Sequence, residues 1–145
     1  MRFMMLLKAD RTTESGVLPT QKDLQEMGKY NEELVKAGAL LDAAGLQPSS
    51  KGAKVTFQNG KPQVTDGPFV ETKELIAGYW MIQVKSKEEA IAWAKRVPFD
   101  RLPSNGRAPE IELRQMFELS DFPDVPPEVA RLEESLKASR AGQEK

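Results

Sequence analysis

Apolar positions recurring with period two, or every three to four residues, divide this chain into a short series of elements. Residues 2–8 are apolar at every inner position, with Phe3, Met5 and Leu7 on one side and Met4 and Leu6 on the other. A strand of that kind belongs inside a sheet covered on both faces. Residues 9–19 read as a polar loop. Thr20, with Asp23 three positions on, starts a helix in the manner of a capping box, and its expected buried stripe is Leu24, Met27, Asn31 and Leu34, joined by Val35. Gly28 beside that stripe predicts a close approach of helix to sheet, at a cost of roughly 1 kcal/mol of helix propensity. Gly38 suits the helix stop, and residues 39–45 form a short second strand interrupted by Asp42.

Asn59-Gly60 between two alternating runs predicts a hairpin with a type I′ turn, because both central positions of that turn require φ > 0. Val55 and Phe57 share a face with Val64, and Pro62, which has no N–H to donate, marks an edge strand. Residues 78–84 are again apolar on both faces. Ser86-x-x-Glu89 caps a second helix that buries Ala90, Ile91, Ala94 and Val97 and ends at Pro98. Residues 98–109 form a Pro-rich loop, residues 110–119 a last half-buried strand with Ile111, Leu113 and Phe117 inward, and the Pro-rich tail carries a helix with Val129, Leu132 and Leu136 along one side. The order is β-α-β-hairpin-β-α-β plus a tail helix. It predicts an α+β, ferredoxin-like βαββαβ sheet with an inserted hairpin, over residues 1–120, and a tail with a C-terminal helix over residues 121–145. Two helices cover one face of such a sheet, so the apolar character of the other face predicts a homodimer.

Composition removes whole classes of chemistry. The chain has no Cys, which excludes disulfides and thiolate nucleophiles, and no His, which removes the commonest general base and transition-metal ligand. Any catalysis must use Asp, Glu, Lys, Tyr, Ser/Thr or Arg, and no metal-ligand cluster or cofactor motif is expected. A net charge of −1 with no basic stripe argues against direct nucleic-acid binding. The first ten residues read as a strand, since their apolar run is too short and too closely followed by Asp10 for a signal peptide. No run approaches a membrane span, so a cytoplasmic location is expected.

The stretch from Thr65 to Glu74 crowds turn formers, both charge signs and an aromatic between two strands. Asp66 before Gly67-Pro68 reads as a turn acid or as a general acid/base whose pKa neighbouring Phe69 and Trp80 would raise. Glu71, Lys73 and Glu74 read as a solvated cluster or as a charged site, with Lys73 the anion contact and Glu74 or Glu71 the proton acceptor. Arg114 beside Glu112 reads as an ion pair or as a carboxylate-capturing group. Phe69 and Trp80 read as core residues or as walls of a binding site.

The run Asp66-Gly67-Pro68-Phe69-x-Glu71-x-Lys73-Glu74, with Ala77-Gly78-Tyr79-Trp80, Glu88-Glu89-Ala90-x-x-Trp93-Ala94, Glu32-Glu33-Leu34-x-x-Ala37-Gly38 and Ile111-Glu112-Leu113-Arg114, resembles the DGPF branch of the YCII-related family. The resemblance covers residues 1–119 and implies a dimeric α+β barrel of ferredoxin-like subunits. It also implies a largely unassigned role, with some members encoded near extracytoplasmic-function sigma factors. The YciI-like branch carries a His–Asp pair in its cleft, and this chain can supply only the acid of such a pair, Asp66. Two functions follow as expectations. One is a dimer that binds or transforms a small anionic or carbonyl-bearing molecule near the Asp66 turn. The other is a non-enzymatic regulatory dimer acting through protein contacts in a sigma-factor-linked circuit.

Overall fold

The computed structural model of the chain describes residues 1–99 and 108–143, so most of the loop expected over residues 98–109 lies outside the described residues. Four strands, β1 (Arg2–Lys8), β2 (Leu40–Gly45), β5 (Ile76–Gln83) and β6 (Ile111–Gln115), form one sheet in the order β2-β5-β1-β6. Every neighbouring pair is antiparallel. Strands β3 (Ala53–Gln58) and β4 (Lys61–Asp66) form a separate hairpin. The helices are α1 (Arg11–Glu14), α2 (Gln21–Lys36), α3 (Lys87–Lys95) and α4 (Pro127–Gln143). Among the described residues the sheet stays open and no barrel closes within one chain, and no helix is long and apolar enough to cross a membrane.

Strand alternation and register sort the sheet into two faces. On the helix-covered face lie the rows Leu40–Ile82–Phe3–Gln115, Ala43–Trp80–Met5–Leu113 and Gly45–Gly78–Leu7–Ile111. Phe3, Met5, Trp80 and Ile82 from these rows join Tyr30, Leu34, Ala90, Trp93 and Val97 in the core. On the other face lie Asp42–Met81–Met4–Arg114 and Ala44–Tyr79–Leu6–Glu112. Met4, Leu6, Tyr79 and Met81 there are half-buried, so both central strands are apolar on both sides, as their sequence requires. A register shift between Leu40 and Asp42 turns Asp42 to this second face, where it accepts a hydrogen bond from the Tyr79 hydroxyl at 2.9 Å. That bond, made to the neutral phenol, raises the Tyr79 pKa.

Several local expectations are corrected. The loop over residues 9–19 contains α1, because Asp10 and Thr13 cap each other reciprocally: the Thr13 N–H donates to Asp10 at 2.8 Å and the Asp10 N–H to the Thr13 hydroxyl at 2.9 Å. Of the expected stripe of α2, Leu34 is buried and Met27 and Asn31 are half-buried, but Leu24 and Val35 are 59% and 61% exposed, and Asp23 and Tyr30 are buried instead. Both stripes have helical spacing, and Tyr30 decides between them: its ring packs edge-on to Trp80 and Trp93, and its hydroxyl donates to the Trp93 carbonyl at 2.8 Å. Gly28 then lies on the exposed side with open space where a Cβ would stand, so it mediates no close helix–sheet approach. The last strand stops at Gln115, and Phe117 stands exposed, stacked on Phe122 at 5.1 Å. The hairpin turn is as expected, with φ of 51° at Asn59 and 76° at Gly60, but both strands are exposed throughout, including Val55, Phe57 and Val64. Val129, Leu132 and Leu136 of α4 are likewise exposed.

Candidate functional site

A cleft of about 890 Å³ opens between the N-terminal half of α2 and the end of the sheet where β1, β2 and β5 run out. Its origin is visible in the strand rows. The row Gly45–Gly78–Leu7 carries two residues without side chains, so the sheet leaves space there that α2 does not fill. A side chain at Gly78 would also be crowded, since a Cβ would lie 3.1 Å from the Ala44 carbonyl oxygen of the neighbouring strand, which would have to give by a few tenths of an ångström. A Cβ on Gly45, by contrast, would meet open space. Leu7, Met27, Trp80 and Phe99 give the cleft its apolar walls, and Val17, Leu18, Leu24 and Leu46 ring its mouth, each at least half exposed.

Several polar groups of the cleft are held by hydrogen bonds within the chain. Asn31 accepts a hydrogen bond from the Trp80 indole N–H at 2.8 Å, which holds the indole against α2. Asp23, 6% exposed, accepts the Thr20 N–H at 3.0 Å and closes the α2 capping box. Asp10 caps α1. The Glu14 carboxylate accepts the Ser49 N–H at 3.0 Å and also the Ser49 hydroxyl, so it fixes the 3₁₀ turn Ser49–Lys51 against α1.

The Asp66–Glu74 stretch reaches the cleft indirectly, through that turn. The Ser49 hydroxyl oxygen accepts the Phe69 N–H at 3.0 Å, and the Gly67 N–H donates to the Gly52 carbonyl at 3.0 Å. A Cβ on Gly67 would lie 1.7 Å from the Ser49 carbonyl oxygen, so only glycine lets the two segments meet this closely. Phe69 is half-buried under the Lys54 ammonium, 4.3 Å from its ring centre. Asp66 ends β4 opposite Ala53 and is exposed; the 3₁₀ turn Thr72–Glu74 holds Lys73 and Glu74, preceded by Glu71. None of Asp66, Phe69, Glu71, Lys73 and Glu74 lines the cleft, whereas Trp80 does. Arg114 lies on the opposite face of the sheet, 3.6 Å from Glu112. The sequence-derived set is therefore divided among a loop, the cleft and the far face.

Sequence reasoning missed Glu14, Ser49 and Gly45. Glu14 and Ser49 meet across 35 residues and carried no local signal. The Asp10-x-x-Thr13 spacing was readable as a cap and would have predicted α1. Among the described residues no cluster of three or more acidic side chains is arranged to hold a metal ion.

The family model of the YCII-related domain matches residues 1–112. An uncharacterized protein of Rhizobium meliloti (strain 1021) is 32% identical over 75 residues, which cover 52% of this chain and 60% of that protein. The match thus spans about three fifths of the length of this relative.

Proposed function

We propose that this chain, which belongs to the YCII-related domain family, binds a small organic molecule in the cleft between α2 and the sheet. The observation that carries this reading is the cleft itself: about 890 Å³, apolar in its walls, with several of its polar groups held in place by hydrogen bonds of the same chain. A cavity of this size and lining suits a ligand of metabolite size. The ligand classes expected from sequence, carbonyl-bearing or anionic, are both small enough to enter. In this reading the DGPF segment identifies the branch of the family and braces the cleft wall through Ser49 and Gly67. Chemistry at Asp66 is not needed for binding. A thermal-shift screen against a metabolite library, repeated on Leu24→Gln, tests the proposal. Hits whose stabilisation is lost in the variant support it, and a library without a single hit, or hits indifferent to Leu24, would refute it.

A second reading rests on a different observation. Met4, Leu6 and Met81 on the uncovered sheet face, Val55, Phe57 and Val64 on the hairpin, and Val129, Leu132 and Leu136 on α4 are apolar groups that one chain leaves incompletely covered. We propose that a second copy covers the sheet face, giving a cytoplasmic homodimer of ferredoxin-like subunits (residues 1–120), with the tail (residues 121–145) available to a protein partner. Sedimentation at micromolar concentration tests this. A monomer would sink it.

A further inference from the structure

The charge of the cleft narrows its ligand, and this step rests on the cleft reading above. Anions are ordinarily held in proteins by unpaired backbone N–H groups, by the positive end of a helix, or by Lys and Arg. In this cleft several of those places are already served by a carboxylate of the chain. The N-terminus of α2 has the Asp23 carboxylate beside it, buried and bonded to the Thr20 N–H. The leading N–H of the Ser49–Lys51 turn is accepted by Glu14. Thr13 N–H is accepted by Asp10.

Among the described lining residues the cations are outnumbered as well. The described lining residues include Asp10, Glu14, Asp23 and Glu110 against Lys8 and Lys51. The Lys8 ammonium turns to Glu112 at 3.8 Å, and Lys51 is exposed to solvent. An anion entering this space would find a field of its own sign, unscreened wherever the walls exclude water. An uncharged molecule pays no such penalty and gains from covering Val17, Leu18, Leu24 and Leu46, which otherwise face solvent at the mouth.

We infer that the cleft selects an uncharged, predominantly apolar small molecule and rejects its anionic counterparts, which removes the anionic half of the sequence-based expectation. The test uses two fluorescent probes with one carbon skeleton, neutral N-phenyl-1-naphthylamine and its sulfonated relative 1-anilinonaphthalene-8-sulfonate. They are titrated into the intact protein at low and high salt. The neutral probe should bind with an affinity indifferent to salt and weakened several-fold by Leu24→Gln, while the sulfonate should bind better as salt rises. Asp10→Asn combined with Glu110→Gln, which keeps an acceptor oxygen at the α1 cap, should tighten sulfonate binding by about threefold or more and leave the neutral probe within about twofold. Sulfonate binding that ignores both salt and the neutralised pair would overturn the charge selection while the neutral probe still marks the cleft. If the neutral probe fails to bind, or binds without regard to Leu24, the cleft reading itself is overturned.

Discussion

Gly67→Ala places a methyl group where the backbone of another segment already stands. The new Cβ would sit 1.7 Å from the Ser49 carbonyl oxygen, 2.6 Å from its carbonyl carbon and 3.3 Å from the Ser50 nitrogen. All three are main-chain atoms of a turn that Glu14 fixes from the other side, so no side-chain rotation relieves the overlap. The Asp66–Phe69 segment must withdraw by more than 1 Å, roughly the distance from such an overlap to ordinary contact. Withdrawal breaks or lengthens the Gly67 N–H bond to Gly52 and the Phe69 N–H bond to Ser49, both 3.0 Å. Two such bonds contribute about 1 kcal/mol each, and forced displacement costs about 1–2 kcal/mol more, so the expected loss is about 2–4 kcal/mol. For a chain of this length that corresponds to a Tm lowered by roughly 6–12 °C. Thermal unfolding by circular dichroism reads the global effect, and hydrogen exchange at the Phe69 amide reads the local one. An unchanged Tm together with unchanged Phe69 protection would show that the two segments do not meet as described.

Gly28→Ala is the opposite case: with open space around the new methyl and an ordinary helical backbone, it should stabilise by about 0.5–1 kcal/mol in urea denaturation, and a loss would mean that α2 lies closer to a neighbour than described. Tyr30→Phe leaves the Trp93 carbonyl without its 2.8 Å donor in the core and should cost about 1–2 kcal/mol. Burial also raises the Tyr30 pKa above its ordinary value of 10.0, so the unfolded state releases this proton first. The native protein should therefore lose stability as pH rises above about 10, and Tyr30→Phe should flatten that decline, as stability measured from pH 8 to 11 will show. At the other end of the scale, the Arg2 guanidinium bonds Glu118 at 2.8 Å and lowers its pKa below the ordinary 4.5. That contribution is present above about pH 4.5 and is lost as pH falls through the lowered value. Glu118→Gln should thus cost less than about 1 kcal/mol at pH 7, a partly exposed pair being screened by solvent, and nothing near pH 2. A deficit that persists in acid would assign Glu118 some role other than its charge.

Local rules carried the elements. The both-face apolarity of β1 and β5, the Thr20 and Ser86 caps, the Gly38 stop and the Asn59-Gly60 turn all stand in the structure, because each depends on residues within a few positions of one another. Helix rotation did not follow in the same way. Leu24 and Val35 fit the period of α2 as well as Tyr30 does, and only the Trp80 and Trp93 rings on other elements select the Tyr30 face. The Asp66–Glu74 stretch was legible as a turn, yet its bearing on the cleft depends on Ser49, which it meets across a separation of 20 residues.

What the sequence determined by itself was therefore the six strands and the helices α2, α3 and α4, the absence of Cys and His chemistry, and the kinship with the YCII-related domain. The tertiary structure decided where the cleft opens. Gly45 and Gly78 stand 33 positions apart in the chain until β2 pairs with β5 and aligns them in one row, and a cleft is the space that such a row leaves against a helix. Its charge, too, is a property of the assembly. Asp10, Glu14 and Asp23 are scattered acids in the chain, and they become a single field only when α1, α2 and the Ser49 turn are folded around the same opening.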